Sequence, residues 1–228
     1  MEGRYPSSLL VALINYVDPA TEDKFNFWYN HFHIPDVTAV GVWGHGTRFV
    51  NTNPNLKPGD GNYLAIYESQ VDDISKVKDE TAGKEQKWRD QGRYDITNIR
   101  RMMVGYFRRT GGEFRAKNRP MTGISMVCTN CKDPKRDEEF NRWYEDVHIP
   151  DVLNTGLFHA AYRYETAGYI EGTTGPKYLA IYETDAADPA KASQELGKHI
   201  GEWAKQGRII NTIELVRSVT ARRVWPAD

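Results

Sequence analysis

Residues 25–37 read FNFWYNHFHIPDV and residues 140–152 read FNRWYEDVHIPDV. Nine of the thirteen positions are identical at an offset of 115 residues, which makes internal duplication the first reading to test. The same offset aligns YLAIYES (63–69) with YLAIYET (178–184), and WRDQGR (88–93) with WAKQGR (203–208). It also pairs Gly41 with Gly156 and Arg48 with Arg163. The phrase therefore recurs because a whole unit recurs. Repeats at 1–110 and 121–228, joined by a basic, glycine-bearing linker at 111–120, account for the 228 residues.

Each repeat carries the same order of elements. SLLVALINYV (8–17) is an apolar, strand-like run ended by Asp18-Pro19, and Thr21, Glu22 and Asp23 then supply an N-cap and first-turn acids for a helix. That helix holds Phe25, Trp28, Tyr29 and Phe32 at the spacing of a stripe that faces a sheet. GTRFVN (46–51) and NYLAIYES (62–69) read as strands, a charged helix follows from about 71 to 90 up to Gly92, and RRMMVGYFRRT (100–110) closes the unit. The order β-α-β-β-α-β is the ferredoxin-like split βαβ motif. Leu9, Val11 and Leu13 alternate with Leu10, Ala12 and Ile14, so both faces of the first strand are apolar and the face away from the helices needs cover. The expected fold class is α+β: two tandem ferredoxin-like repeats packed sheet to sheet as an intramolecular, eight-stranded α+β barrel.

A formal net charge of -1 with no long stretch of one sign gives no electrostatic case for nucleic acid or an anionic membrane. The short apolar run near the N-terminus ends at Asn15 and Asp18 with no small-residue cleavage site, so a soluble, cytoplasmic protein is expected. Cys128 and Cys131 form a C-x-x-C in one repeat only, where the other has Leu13 and Tyr16, and they read as incidental. The expected partner is a hydrophobic small molecule, and further pairing of the fused unit stays open.

Tyr29, His33 and Asp36 share one helix face, as do Tyr144, His148 and Asp151. Pro35 should push Ile34 out of the αR region and make the helix kink or restart. Two readings follow: the imidazole is a general acid or base oriented by the carboxylate, or both side chains cap a broken helix. His45 and His159, near the start of the second strand of each repeat, could join the same mouth. Two histidines and an aspartate could bind a divalent metal, but no tight ligand spacing occurs and no metal is expected. Arg48 and Arg163 either anchor a substrate anion or pair with a helix acid, and Tyr67 and Tyr182 either line a pocket or pack the core, sharing a face with Tyr63 and Tyr178. Trp88 and Trp203 read as anchors for the second helix, and His31 and His199 as surface residues.

W-Y-x-x-x-H-I-P-D-V, followed by a glycine and a strand arginine, resembles the EthD-like branch of the dimeric α+β-barrel superfamily across both halves of the chain. Most members are single-repeat homodimers, whereas this sequence looks like a fused dimer. The superfamily includes muconolactone-type isomerases, polyketide cyclases, dehydratases, decarboxylases, cofactor-free monooxygenases and haem proteins. The resemblance implies a pocket between sheet and helices in each repeat, His33 and His148 as acid/base residues, and Asp36 and Asp151 as their orienters. It leads to a cofactor-independent lyase or isomerase working on an aromatic or polyketide-like carbonyl compound. A cofactor-free monooxygenase on a phenol or anthrone, or a non-catalytic binding protein, are the alternatives; no proximal-ligand motif favours haem. Asn30-His31-Phe32 becomes Glu145-Asp146-Val147, so one site is expected to be active and the other vestigial.

Overall fold

Strand β1 (Ser8–Tyr16) carries out the alternation in its sequence: Leu9, Val11 and Leu13 are fully buried on one face, while Leu10, Ala12 and Ile14 are buried on the other. The computed structural model describes residues 1–94, 96–114 and 119–226. β1 is followed by α1 (Glu22–Trp28), a π turn (Tyr29–His33), α2 (Ile34–Thr38), β2 (His45–Asn51) and β3 (Tyr63–Ser69). Next come α3 (Ile74–Thr81), α4 (Lys84–Asp90) and β4 (Ile99–Phe114). The same order returns as β5 (Gly123–Cys131), α5 (Asp137–Trp143), a π turn (Tyr144–His148), α6 (Ile149–Asn154), β6 (Ala160–Tyr169), β7 (Tyr178–Thr184), α7 (Pro189–Lys205) and β8 (Ile213–Trp225). The linker expected at 111–120 includes residues 115–118, which lie outside the described residues.

The expected fold class is corrected by the strand order. The eight strands form one closed antiparallel barrel, β1-β3-β2-β8-β5-β7-β6-β4, and not two ferredoxin-like sheets laid face on face as an α+β sandwich. The physical reason is edge satisfaction: two open sheets would leave rows of unpaired N–H and C=O groups along four edge strands, and closure removes every edge. Two compact units are distinguishable: a first-half unit of Pro6–Arg108 with Ala167–Thr174 and Arg223–Asp228, and a second-half unit of Met1–Tyr5 with Arg109–Thr166 and Gly175–Arg222. No helix among the described residues is long and apolar enough to cross a membrane.

Within the first-half unit β1 pairs with β3 (Leu10 opposite Tyr67, Ala12 opposite Ala65) and with β4 (Leu10 opposite Tyr106, Ala12 opposite Val104). Leu10, Ala12, Tyr63, Ala65, Tyr67 and Val104 thereby share one face and meet Phe25, Tyr29, Ile34 and Val37 from the first helix. Asp18 accepts from the Ala20 N–H and from the Thr21 hydroxyl, so it caps the helix entry that the sequence suggested for Thr21.

The charged helix expected at about 71–90 is broken. α3 ends at Thr81, Ala82 leaves the helical region (ψ 139), and Gly83 takes φ +73 before α4 begins. The second half keeps one continuous helix, α7, with Leu196 buried in its core. Thr81 stands at the position of Leu196; its hydroxyl donates to Val77 O and accepts from Trp43 Nε1. A polar stop at Thr81 and a left-handed glycine two residues later thus replace an apolar anchor. Gly83→Ala is expected to cost about 1 kcal/mol in urea unfolding, the penalty of a left-handed Cβ with open space around it. Gly61→Ala should cost clearly more, because a Cβ there would lie 2.5 Å from Leu13 Cγ as well as sitting at φ +78.

Candidate functional site

The repeated helix does not break at its proline. Ile34 stays in αR (φ -60, ψ -49), and its N–H bonds Tyr29 O, five residues back. Ile149 repeats this, bonding Tyr144 O. The expectation that Pro35 expels Ile34 from αR is therefore wrong, and Ile149 before Pro150 stays in αR as well. A proline ring clashes with the carbonyl four residues earlier and offers no N–H to it. Widening the preceding turn to the i→i+5 pattern moves that carbonyl aside and lets the helix run on through Pro35.

The wide turn sets the histidine in a cage of rings. His33 is stacked between Trp28 (5.0 Å, 21°) and Tyr94 (5.1 Å, 23°), with Tyr29 edge-on at 4.7 Å. Tyr67 and Trp88 stand perpendicular to it at 6.3 and 6.1 Å. Neither imidazole nitrogen has a hydrogen-bond partner among the described residues. Burial, then the fields of Arg48 and Arg101, lowers the His33 pKa to about 3, so the ring is neutral at physiological pH.

His33 lines a cavity of ≈ 500 Å³ in the first-half unit. Its apolar floor is Leu10, Ala12, Ile14 and Val104, and its helix wall is Tyr29, His33 and Val37. The α3–α4 break contributes Thr81, Ala82 and Gly83, and residues 170–172 close another side, tied down by Ile170 N–H to Val104 O (3.0 Å). Tyr67 donates to Tyr29 across 3.5 Å, and burial raises the pKa of both hydroxyls, which keeps them protonated as donors. At the rim Arg101 Nη2 donates to Glu85 (2.8 and 3.0 Å) and to Tyr94 Oη (3.2 Å).

The other residues singled out in the sequence fall elsewhere. Asp36 receives the Arg93 guanidinium, and Asp151 is held by Arg208 at 2.7 to 3.0 Å. Trp28 Nε1 donates to Arg93 O and Trp143 Nε1 to Arg208 O, each at 2.8 Å, so the acid, the tryptophan and the QGR turn clamp one another in both halves. Arg48, 1% exposed, donates to Asn26 and Asn30 and lies over the rings of Tyr29 and Tyr63 at 4.4 Å. Arg163 donates to Asn141 and lies 3.6 Å over Tyr144, with Glu145 at 3.9 Å. Neither arginine lines the cavity. His45 opens β2 opposite Glu68, and His159 is buried with Nε2 4.0 Å from Glu183. Neither joins the histidine of its own helix.

His148 has the same rings around it except the second stacked one: Trp143 at 4.9 Å, Tyr144 at 5.1 Å, Tyr182 at 6.4 Å and Trp203 at 6.3 Å. Burial, then Arg163, lowers its pKa to about 4. The polar rim is missing there, since Glu85 and Tyr94 correspond to Ile200 and Ile209. Strand register places Arg101 on Leu215: Ile14 faces Arg101 as Thr129 faces Leu215. Glu85, Trp88, Tyr94, Arg101 and residues 170–172 were not assigned to the site from the sequence. The available signal was the contrast between repeats, hidden by a change of offset from 115 to 114 after Tyr94, which the two registers reveal.

A porphyrin would need a slot beside a projecting imidazole. The His33 ring is covered by Trp28 and Tyr94 and flanked by three further rings, so this imidazole does not fit as a haem ligand. Among the described residues no cluster of three His, Cys, Asp or Glu side chains could hold a metal ion.

Several solved structures share the fold of this chain. An anthrone oxidase-like protein superposes with a TM-score of 0.61 at 13% identity, covering 98% of this chain and 94% of the other. A candidate monooxygenase from Fusobacterium nucleatum subsp. nucleatum gives 0.54 at 10% identity, covering 96% and 93%. A chlorite dismutase variant from Candidatus Nitrospira defluvii gives 0.57 at 7% identity, covering 96% and 92%. A family described as a domain of unknown function (DUF4286) matches residues 124–206. No curated protein sequence matches the chain.

The two caged histidines make a stability prediction. Both folded pKa values lie below the ordinary 6.5, so between pH 6.5 and about 4 the unfolded chain binds protons that the native rings refuse, and stability falls as pH falls. Each ring should contribute a loss on the order of 3 kcal/mol by pH 4. His148→Phe, which preserves the stack on Trp143, is expected to flatten the pH dependence of stability in urea between pH 7 and 4.5 by about 2 to 3 kcal/mol.

Proposed function

We propose that the first-half cavity is the active site of a cofactor-independent monooxygenase, acting on a flat aromatic compound with an acidic C–H or phenolic O–H group. The observation that carries this reading is the neutral, unbonded His33 imidazole on the wall of an aromatic cavity, beside the protonated hydroxyls of Tyr29 and Tyr67. His33 accepts the substrate proton, and the Tyr29 hydroxyl, itself bonded by Tyr67, donates to the oxygen on which negative charge develops. A ring with a pKa of about 3 is a weak base in an empty cavity, but an anion formed beside it stabilises the imidazolium and draws the pKa up. Transfer is therefore favoured only while the anion stays next to His33, which suits a closed apolar site.

The names of two structural neighbours, an anthrone oxidase-like protein and a candidate monooxygenase, support oxygen as the partner of that anion. For an activated methylene, one dioxygen is consumed; one of its oxygen atoms becomes the ketone oxygen, and the other leaves as water with the two methylene hydrogens. The carbanion gives an electron to dioxygen, the radical pair joins to form a C–O bond, and the hydroperoxide loses its remaining C–H proton and hydroxide to leave the ketone and water. Returning the proton to the anion, without oxygen, would give the isomerase or lyase chemistry that the sequence resemblance also suggests. Oxygen uptake separates the two.

With an anthrone as substrate, an oxygen electrode should record equimolar consumption of dioxygen and formation of ketone. His33→Ala should reduce the rate about 10² to 10⁴-fold, the usual worth of a general base, while His148→Ala should leave it nearly unchanged. No substrate-dependent oxygen uptake, or equal losses in the two variants, would overturn the assignment. The pH profile adds an independent check. Because kcat/KM reports the free enzyme, it should stay flat from pH 8 down to about 4.5, without the inflection near 6.5 of an ordinary histidine.

A further inference from the structure

A histidine that works as an acid or base is ordinarily oriented by a hydrogen bond at one ring nitrogen, often from a carboxylate. His33 has none among the described residues, and Asp36, the carboxylate that the repeated phrase offers, is taken by Arg93. Aromatic contacts hold the ring instead. Trp28 and Tyr94 lie nearly parallel to it, and their own centroids are 5.7 Å apart, so the three rings form one packed group. The duplicated clamp ties this group together, because Trp28 Nε1 donates to the Arg93 carbonyl, which is bonded directly to the nitrogen of Tyr94. The far end of the Tyr94 ring is fixed as well. Its hydroxyl accepts from Arg101 Nη2 at 3.2 Å and donates to Glu85 at 3.4 Å, and the Arg89 guanidinium lies 5.5 Å over the ring. Burial raises the Tyr94 pKa, so the hydroxyl keeps the proton it donates.

We propose that Tyr94 is a positioning residue for His33: its tethered ring sets the plane of the imidazole for proton transfer, the task that the sequence pattern gave to Asp36. The inference rests on His33 being the proton acceptor. Stacking has a consequence that an orienting carboxylate lacks. It restricts rotation about χ2 but leaves both nitrogens free, so either tautomer can present its lone pair to the substrate, whereas a carboxylate would fix one. The contrast between the repeats marks the arrangement as one unit. Tyr94, Glu85 and Arg101 are replaced together by Ile209, Ile200 and Leu215, and among the described residues His148 is stacked on Trp143 alone. An isoleucine in place of Tyr94 gives the imidazole no ring to lie against and the tether no hydroxyl.

The test sets Tyr94→Ile, the residue of the second half, against Tyr94→Phe, which keeps the ring. With an anthrone in the oxygen electrode, Tyr94→Ile should lower kcat about 10- to 100-fold, the usual cost of a misplaced catalytic group, and change KM less. Tyr94→Phe should recover most of that loss. The imidazole itself is read without substrate, from its resonances in proton–nitrogen correlation spectra of the intact protein. In the wild-type protein and in Tyr94→Phe, His33 should take up no proton down to about pH 4.5; in Tyr94→Ile water reaches the ring, and its titration should move up into that window. His148, whose cage is unaltered, reports that the variant is folded. A His33 titration that is the same in all three proteins overturns the proposal whatever the rates. So does an undiminished kcat in Tyr94→Ile, or an equal loss in Tyr94→Phe, and each of these leaves the monooxygenase reading standing. If His33 titrates as expected yet no substrate consumes oxygen, the monooxygenase reading fails and Tyr94 still places the ring.

Discussion

The structure turns on how a helix accommodates a proline that it cannot expel. Pro35 follows Ile34, which the core requires, and precedes Val37, which the core also requires, so the chain has to stay helical across it. Opening one turn from i→i+4 to i→i+5 meets that demand at the loss of one regular hydrogen bond. The consequence is positional. Trp28, Tyr29 and His33 project together from the widened turn, and the imidazole ends up between rings instead of in water. The depressed pKa follows from that placement.

Much of what is duplicated proves to be frame. Trp28, Asp36 and Arg93 clamp the helix to the QGR turn, and Trp143, Asp151 and Arg208 do the same, with the tryptophan bonds at 2.8 Å in both. Arg48 and Arg163 are buried fasteners, each bonding an asparagine of the helix above and lying against its tyrosine. A carboxylate engaged by an arginine has little left with which to orient a histidine. The rim that makes the first-half cavity polar is built from residues the repeat does not share: Glu85, Tyr94 and Arg101.

That division explains what the sequence could convey. Strand alternation appears in the structure where the pattern put it, and of the aromatic stripe on the first helix Phe25, Trp28 and Tyr29 pack on the sheet as expected, whereas Phe32 is exposed. Barrel closure depends on which edges meet, and a pattern within one strand carries no information about its neighbour. The π turn escaped because a proline after a helix reads equally well as a stop. The cavity escaped for a different reason: its floor residues Leu10, Ala12 and Ile14 look like any core, and the vacancy arises from a polar Thr81 and a left-handed Gly83 interrupting one helix. A single-residue change of register then hid the alignment of Arg101 with Leu215.

The two cages share four rings but differ in the second stacked ring, Tyr94, and in field. His148 feels Arg163 and is partly compensated by Asp151, whereas the charges that act on His33 are the two cations Arg48 and Arg101, and its pKa lies lower, about 3 against about 4. Burial supplies the larger share of the depression, so the ring stays neutral until an anion forms directly beside it.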